Sequence, residues 1–286
     1  MKTKFVRVTT EDKLILSGNL YSPDLPSKKV ILHIHGMGGS FYENRFLDFM
    51  ANDFTAKGYS FFCVNNRGAG FFSDFPVASE KESYKHIGNA YEKFEECVYD
   101  IRAGIDFLEE EGYTEIILQG HSFGSVKVAY YVSETHDARV SKLILVSPSD
   151  MVGLAEDKDH AKRYTLSKDL VAQGRGDELL PELLWNSYRL SAATYINLSE
   201  RKSAVDVFNT YDKEAPSCIG EIVIPVLAIL GGTDDAAILP IEEALEVIKA
   251  KAKKAPIFDT AIVAKAPHSY FGYEKQLAEI IGNWLS

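Results

Sequence analysis

The chain has 286 residues, of which 46% are hydrophobic and 25% are charged, and its formal net charge is -10. This length suits one α/β core that carries an insertion, and the composition supplies enough apolar residues for a sizeable core. The excess of acidic residues argues against nucleic acid or an anionic membrane surface as a partner.

The N-terminus and the cysteines bear on localisation. No long apolar run follows the basic residues near the start, as a secretory signal would require, and no stretch approaches the roughly 20 apolar residues of a membrane helix. The three cysteines, Cys63, Cys97 and Cys218, are odd in number and share no metal-ligand spacing. We therefore expect a soluble cytoplasmic protein with no membrane partner and no bound metal.

Strands and helices alternate in the first half of the chain. Residues 5–8 and 14–20 flank a polar turn and predict a β-hairpin. The elements predicted after the hairpin are buried strands at 30–35, 59–64, 116–118 and 142–148, and helices at 42–57, at 89–111 and after residue 124. Such alternation predicts a doubly wound, mostly parallel sheet with helices on both faces.

The alternation stops between residues 149 and 220. The apolar residues there have the spacing of short amphipathic helices at 169–171, 179–190 and 203–208. We interpret this segment as a helical cap, inserted after the sixth strand and packed over the edge of the sheet. Its aromatic residues are candidates to line a pocket, and they are Tyr164, Trp185, Tyr188, Tyr195 and Phe208.

The parallel pattern resumes after residue 220. The predicted elements are strands at 224–230 and 258–264 and helices at 241–253 and 274–284. We therefore predict an α/β core formed by residues 1–148 and 221–286, with residues 149–220 as the cap.

Residues 120–124 read Gly-His-Ser-Phe-Gly and lie between an apolar run and a segment with helical spacing. Gly-x-Ser-x-Gly between a strand and a helix is the pattern of a nucleophile elbow, whose tight turn projects the serine hydroxyl. Gly120 and Gly124 remove side chains that would collide with the strand and the helix. The alternative is a simple strand-to-helix turn with a capping serine. Ser122 is the candidate nucleophile.

A serine nucleophile needs an adjacent base, and histidine suits this role because its ordinary pKa lies close to neutral pH. Functional residues collect at the carboxyl ends of parallel strands. The predicted strand ends carry residues 36–39, Ser122, the pair Asp234 and Asp235, and His268. A carboxylate behind the histidine would fix its tautomer and stabilise the imidazolium.

Four motifs together resemble those of the α/β-hydrolase superfamily. They are His-Gly-Met-Gly-Gly at 35–39, Arg-Gly-Ala-Gly at 67–70, the elbow at 120–124 and the strand at 225–234 that leads to the acid. The resemblance runs from about residue 5 to the C-terminus, apart from the inserted helices. The hairpin and early core look most like small microbial carboxylesterases, including the cinnamoyl and feruloyl esterase type. One departure is Asn65-Asn66, because the corresponding turn usually begins with aspartate.

The resemblance implies roles for particular residues. The oxyanion hole would consist of the backbone amides of Phe123 and, by position, Met37. Counting three residues from the nearer glycine selects Asp235 as the acid, whereas the longer alignment over 225–231 selects Asp234, which we prefer. His268 then completes the order nucleophile, acid, histidine that is described for this fold.

The predicted function is a serine hydrolase that cleaves a carboxylic ester of a small organic substrate through an acyl-enzyme, without a cofactor. Ser122 would attack the carbonyl, His268 would move the proton and Asp234 would orient His268. Two alternatives stay open. One is amide, peptide or carbon–carbon bond hydrolysis on the same triad, and the other is a non-catalytic member that binds a small ligand. The oligomeric state is not predicted.

Overall fold

A computed structural model describes residues 1–79 and 81–286 of the chain. Two short 3-10 helices, Phe94–Glu96 and Cys218–Glu221, accompany the main elements. In chain order the main elements are β1 (Lys2–Thr9), β2 (Ile15–Ser22), β3 (Lys29–Ile34), α1 (Phe46–Ala56), β4 (Ser60–Val64), β5 (Asp74–Pro76), β6 (Tyr84–His86), α2 (Cys97–Glu110), β7 (Glu115–His121), α3 (Phe123–Thr135), β8 (Val140–Val146), α4 (Met151–Ala155), α5 (His160–Ala172), α6 (Ala192–Ser199), β9 (Val226–Gly231), α7 (Ile241–Lys251), β10 (Phe258–Val263) and α8 (Glu274–Leu285).

An eight-stranded sheet forms the centre of the molecule, in the order β1-β2-β4-β3-β7-β8-β9-β10. β1 pairs with β2, and β2 with β4, in antiparallel fashion, and the other neighbours pair parallel. β3, β4 and β9 are buried almost throughout, because helices cover both faces of the sheet. The predicted doubly wound, mostly parallel sheet and its N-terminal hairpin are confirmed.

Two hydrophobic clusters cover the two faces of this sheet. Because side chains alternate along a strand, Ile31 and Leu32 of β3 belong to different clusters. One cluster joins the sheet to α1 and α8, through residues such as Phe46 and Ile281. The other joins it to α2, α3, α7 and the segment between β8 and β9. Because β3, β4 and β7 to β10 run parallel, their carboxyl ends lie at the same edge of the sheet.

The segment between β8 and β9 contains α4, α5 and α6. Residues 169–171 lie in α5, but the predictions of helix at 179–190 and 203–208 are wrong, because these residues form turns and isolated bridges. Trp185 and Asn186 have positive φ angles of 49° and 57°, which a right-handed helix cannot contain. The apolar residues near them are buried in the shared core, so their spacing reflects burial and not a helix. The division of the chain into a core and a cap stays a prediction.

The loop after β4 differs from the prediction in two ways. β5 and β6 form a small antiparallel sheet where only a loop was expected, since strands of three residues are too short to show a period. The helix predicted from residue 89 begins instead at Cys97. Lys93 is extended, with φ -102° and ψ 122°, and separates the preceding turn from the helix.

Candidate active site

Ser122 occupies a strained turn between β7 and α3. Its backbone has φ 56° and ψ -125°, a combination that residues other than glycine rarely adopt. Glycines make the turn possible: a Cβ on Gly124 would lie 2.1 Å from the Ile34 carbonyl oxygen, and one on Gly120 would lie 2.2 Å from the Gly124 carbonyl oxygen. The serine therefore stands at the carboxyl end of a central strand, as the elbow pattern predicts.

Ser122 and His268 line the same cavity, which has a volume of about 380 Å³. This volume lies within the range of small-molecule sites. The other lining residues are Met37, Ser149, Met151, Leu154, Trp185, Ser187, Tyr188, Asp235 and Ala236. Within the described chain, neither Ser122 Oγ nor His268 Nε2 forms a hydrogen bond. Catalytic hydrogen bonds are often long before a substrate binds, so this geometry is compatible with proton transfer between the two groups.

His268 and Asp234 form a hydrogen-bonded pair beside the cavity. His268 Nδ1 lies 2.8 Å from Asp234 Oδ1, and the aspartate side chain is 1% exposed. Burial raises the pKa of Asp234, but hydrogen bonds from His268, Ser147 and the Ala236 amide, with the charge of His268, outweigh burial and hold the pKa below its usual value. Asp234 is therefore ionised near neutral pH and holds the proton of the imidazole on Nδ1.

The two candidate acids point in different directions. Asp234 contacts the imidazole, whereas Asp235 is exposed and lines the cavity itself. Asp235 makes no hydrogen bond or ion pair with any residue in the described ranges. The structure thus brings Asp234, and not its neighbour, to His268.

Ser147 is a residue at this site that the sequence analysis does not single out. It directly follows β8, with φ 49°, and its hydroxyl donates a hydrogen bond to Asp234 Oδ2 at 2.5 Å. The Tyr270 hydroxyl lies 3.0 Å from Ser147 Oγ on the other side. A signal for Ser147 was present, because a polar residue at the carboxyl end of a buried strand is where functional side chains collect.

Two backbone amides beside Ser122 are free to bind an anion. Phe123 is the first residue of α3, so its N–H has no partner within the helix. The N–H of Met37, in the turn after β3, likewise donates to no described residue. A Cβ on Gly36 would lie 3.0 Å from the Ser122 Cβ, so the loop passes directly against the serine. Both amides thus belong to segments that meet at Ser122, and the helix start adds a field that favours negative charge.

A buried polar network connects α3 to the loop after β3. Lys127 on α3 donates hydrogen bonds to Glu92 Oε2 at 2.5 Å and to Asn66 Oδ1 at 2.9 Å. The backbone N–H of Asn66 donates to His35 Nε2 at 3.1 Å, which leaves the proton on Nδ1 to bind the Gly36 carbonyl oxygen at 2.8 Å. Burial, followed by the charge of Lys127, lowers the pKa of His35 to about 3, so the imidazole is neutral in this role.

A second neutral histidine supports the loop that carries His268. His121 Nε2 donates to the His268 carbonyl oxygen at 3.0 Å. Burial, followed by the charge of His268, lowers the pKa of His121 to about 3. Of the two residues beside the serine, His121 thus binds the His268 backbone, and Phe123 offers a backbone amide that has no partner within its helix.

Two of the five aromatic residues considered for the pocket wall line the cavity. The rings of Trp185 and Tyr188 are 6.1 Å apart and nearly perpendicular, at 87°. Trp185 Nε1 donates a hydrogen bond to the Leu154 carbonyl oxygen at 3.0 Å, which fixes the orientation of its ring. Of the other three, Tyr195 and Phe208 are buried in the hydrophobic core, and Tyr164 is partly buried against it.

The rest of the described chain contains a larger cavity, and it contains no metal-binding cluster and no membrane-spanning helix. A larger cavity of about 740 Å³ lies near the C-terminal end of α3 and residues 201–218, and no predicted site residue lines it. Across residues 1–79 and 81–286, no group of three or more His, Cys, Asp or Glu side chains is placed to hold a metal ion. In the same ranges, no helix has the length and apolar character needed to cross a membrane.

The sequence matches a family model described as the alpha/beta hydrolase fold over residues 29–259, which is most of the chain. The chain belongs to the α/β hydrolase fold family. The resemblance that the four motifs predicted at the superfamily level is therefore confirmed. A comparison with curated protein sequences finds no match for this α/β hydrolase.

Solved structures share the fold of this α/β hydrolase at low sequence identity. The Pyrococcus furiosus esterase Pf2001 is 20% identical with a TM-score of 0.63, and the match covers 99% of this chain and 90% of that chain. Est1E from Butyrivibrio proteoclasticus, solved with ferulic acid bound, is 17% identical with a TM-score of 0.67, covering 98% and 97%. GrgF from Penicillium sp. sh18 is 15% identical with a TM-score of 0.70, covering 100% and 97%. At these identities the likeness shows the fold alone.

Proposed function

We propose that the protein is a serine hydrolase that cleaves a carboxylic ester of a small organic substrate through an acyl-enzyme intermediate. One observation carries the proposal: Ser122, in its strained turn, shares a cavity of about 380 Å³ with His268, whose imidazole is paired with buried Asp234. The similar Pyrococcus furiosus protein Pf2001 is named as an esterase, which supports an ester as the substrate.

Each group has a distinct role in the proposed mechanism. Ser122 Oγ attacks the ester carbonyl carbon while His268 Nε2 accepts its proton, and ionised Asp234 stabilises the imidazolium through Nδ1. The amides of Phe123 and Met37 donate hydrogen bonds to the oxyanion of the tetrahedral intermediate. His268 then gives the proton to the leaving alcohol. A water molecule, activated by the same imidazole, releases the acyl group and regenerates the serine.

Labelling with a small fluorophosphonate, read by intact mass, tests the nucleophile. We expect one adduct per chain in the wild type, no adduct in Ser122→Ala and strongly slowed labelling in His268→Ala. Ser269→Ala is the matched control, because Ser269 is an exposed serine beside the histidine and its loss should leave the adduct in place. A Ser122→Ala variant that still hydrolyses 4-nitrophenyl acetate at the wild-type rate would show that the nucleophile is misassigned.

A panel of esters, amides and 1,3-diketones with matched acyl groups tests the reaction. We expect the esters to give the highest kcat/KM. Labelled protein that cleaves an amide or a diketone but no ester would keep the nucleophile and replace the substrate class. Protein that neither labels nor turns over any member of the panel would support the non-catalytic alternative, in which the cavity binds a small ligand.

A further inference from the structure

The cavity beside Ser122 contains a carboxylate without a partner. Asp235 lines this cavity and has no hydrogen bond or ion pair with any residue that the structure describes. Of the described residues that line the cavity, His268 is the only histidine, no other carboxylate is present, and no lysine or arginine is among them. The negative charge of Asp235 therefore acts on a bound molecule without a local cation to offset it.

Two aromatic rings lie in the same cavity and are held in position by an unusual loop. Leu184 and Tyr188 exchange two backbone hydrogen bonds, of 2.7 and 2.9 Å, which close the loop around Trp185 and Asn186. The positive φ of Trp185 is rare for a bulky residue and is tolerated only where the surroundings impose it. Gly38 lies against the Tyr188 ring, since a Cβ on this glycine would lie 3.3 Å from Tyr188 Cε1.

The faces of these rings are not used by the protein's own cations. In the described ranges, the lysine and arginine groups that stack on aromatic rings contact other rings, and none lies over Trp185 or Tyr188. Aromatic faces attract cations, and sites for ammonium and quaternary ammonium ligands are built from such faces. A carboxylate in the same small space adds Coulombic attraction to that of the rings.

The wider electrostatic setting has the same sign. Burial, and then the charge of Glu43, raises the pKa of Tyr188, so a second acid lies close enough to act on this side of the cavity. The net charge of -10 extends a negative field around the whole molecule. An anionic group entering the cavity would meet Asp235, and no described lysine or arginine lines the cavity to receive it.

We propose that the ester substrate carries a positively charged amine, an ammonium or quaternary ammonium group, that binds against Asp235, Trp185 and Tyr188 while Ser122 attacks the carbonyl. The proposal rests on the hydrolase function proposed above and adds the charge class of the substrate. The reaction is the same hydrolysis: the ester C–O bond breaks, water supplies the hydroxyl of the acid and the proton of the alcohol, and nothing is oxidised or reduced.

Esters that differ in charge, with the cationic and neutral members matched in shape, test this proposal. One series compares acetylcholine with its neutral isostere 3,3-dimethylbutyl acetate and with anionic 3-acetoxypropanoate, and a second compares betaine methyl ester with neutral methyl 3,3-dimethylbutanoate. Each kcat/KM is divided by the rate of hydroxide-catalysed hydrolysis, which removes differences in intrinsic reactivity. We expect a preference of about tenfold for the cation over its neutral isostere in at least one series.

Asp235→Asn should reduce that preference to about threefold or less, since the attraction of the rings alone would remain. Asp177→Asn is the matched control, because Asp177 is exposed, lies outside the cavity and carries the same charge. The control should keep the wild-type preference. If Asp235→Asn slowed cationic, neutral and anionic esters equally, Asp235 would act on the reaction itself and the proposal would be overturned.

Binding of the tetramethylammonium ion provides a test that needs no turnover. The chain has two tryptophans, so a Trp284→Phe background leaves Trp185 as the fluorescent reporter. We expect a saturable fluorescence change that is weakened in Asp235→Asn. Binding without hydrolysis of any ester would keep the cation site and overturn the hydrolase. Ester hydrolysis without a cationic preference or tetramethylammonium binding would keep the hydrolase and overturn the cation site.

Discussion

Ser122 can adopt its strained conformation because the residues that pack around it include glycines, which have no side chain. Gly120 and Gly124 flank it in sequence, but Gly36 comes from a different strand end and reaches the serine only in the folded chain. A Cβ on any of the three would lie 2.1 to 3.0 Å from an atom of a neighbouring segment. The elbow is thus a contact between segments as much as a local turn.

Gly124→Ala should destabilise the protein through such a contact. The new Cβ would lie 2.1 Å from the Ile34 carbonyl oxygen and 2.7 Å from that of His35, and these backbone atoms belong to the central strand and its end. We expect the free energy of unfolding in urea to fall by about 3 kcal/mol or more. Gly174→Ala is the control, because it strains a φ of 73° but has no atom within 4 Å, so it should cost about 1 kcal/mol. Equal losses would contradict the packing argument.

Asp234 should couple stability to pH. Its carboxyl pKa is held below the usual value, because the hydrogen bonds and charge around it outweigh burial. A carboxyl of this kind contributes stability that is complete above its unfolded pKa of about 3.9 and disappears as the pH falls through the folded pKa. The stability advantage of the wild type over Asp234→Asn should therefore be largest above about pH 5 and shrink toward pH 2 in urea unfolding. An advantage that did not change with pH would show that the carboxylate charge is not involved.

At the scale of elements, the network from Lys127 to His35 joins α3 to the loop after β3. Helix α3 carries the Phe123 amide and the loop carries the Met37 amide, so the network links the segments that carry the two proposed oxyanion donors. Lys127 Nζ also lies 4.7 Å from the centroid of the Phe123 ring. The side chains involved are almost completely buried, which makes their partners costly to remove.

Lys127→Met should therefore affect both stability and turnover. Removing the ammonium leaves Glu92 buried without its partner, and we expect a loss of about 3 kcal/mol in unfolding free energy. We also expect kcat to fall about tenfold with little change in KM, because a displaced oxyanion donor acts in the transition state. The double variant Lys127→Met/Glu92→Leu removes both charges and should regain stability without regaining kcat. If it regained both, the network would serve stability alone.

At the scale of the whole molecule, the net charge of -10 should influence substrate encounter. Raising the salt from about 0.01 M to about 0.1 M shortens the Debye length from about 30 Å to about 10 Å. We expect kcat/KM to fall a few-fold for a cationic ester and to rise for an anionic one, while a neutral ester stays constant as the control. The same salt response for all three esters would exclude a long-range electrostatic effect.

The parts of the fold that the sequence predicts are visible as patterns in consecutive residues, and the parts that it misses are not. Apolar runs such as those of β3, β4 and β9 are visible in consecutive residues, because a strand covered on both faces needs apolar side chains in both directions. The spacing at 179–190 resembles a helix because it reflects burial against the core, and a closed loop with positive φ angles buries the same leucines. The three-residue strands β5 and β6 have no period to detect.

The sequence by itself determined the α/β class, the elbow around Ser122 and the residue types suited to a triad, since each is written in a short run of neighbouring residues. Only the tertiary structure decided which of two adjacent aspartates contacts His268, because Asp234 and Asp235 have the same chemistry and differ only in the direction of their side chains. It also revealed that Ser147 donates to Asp234, although 87 positions separate them in the chain. Such contacts depend on how distant strand ends meet in space, which no local pattern encodes.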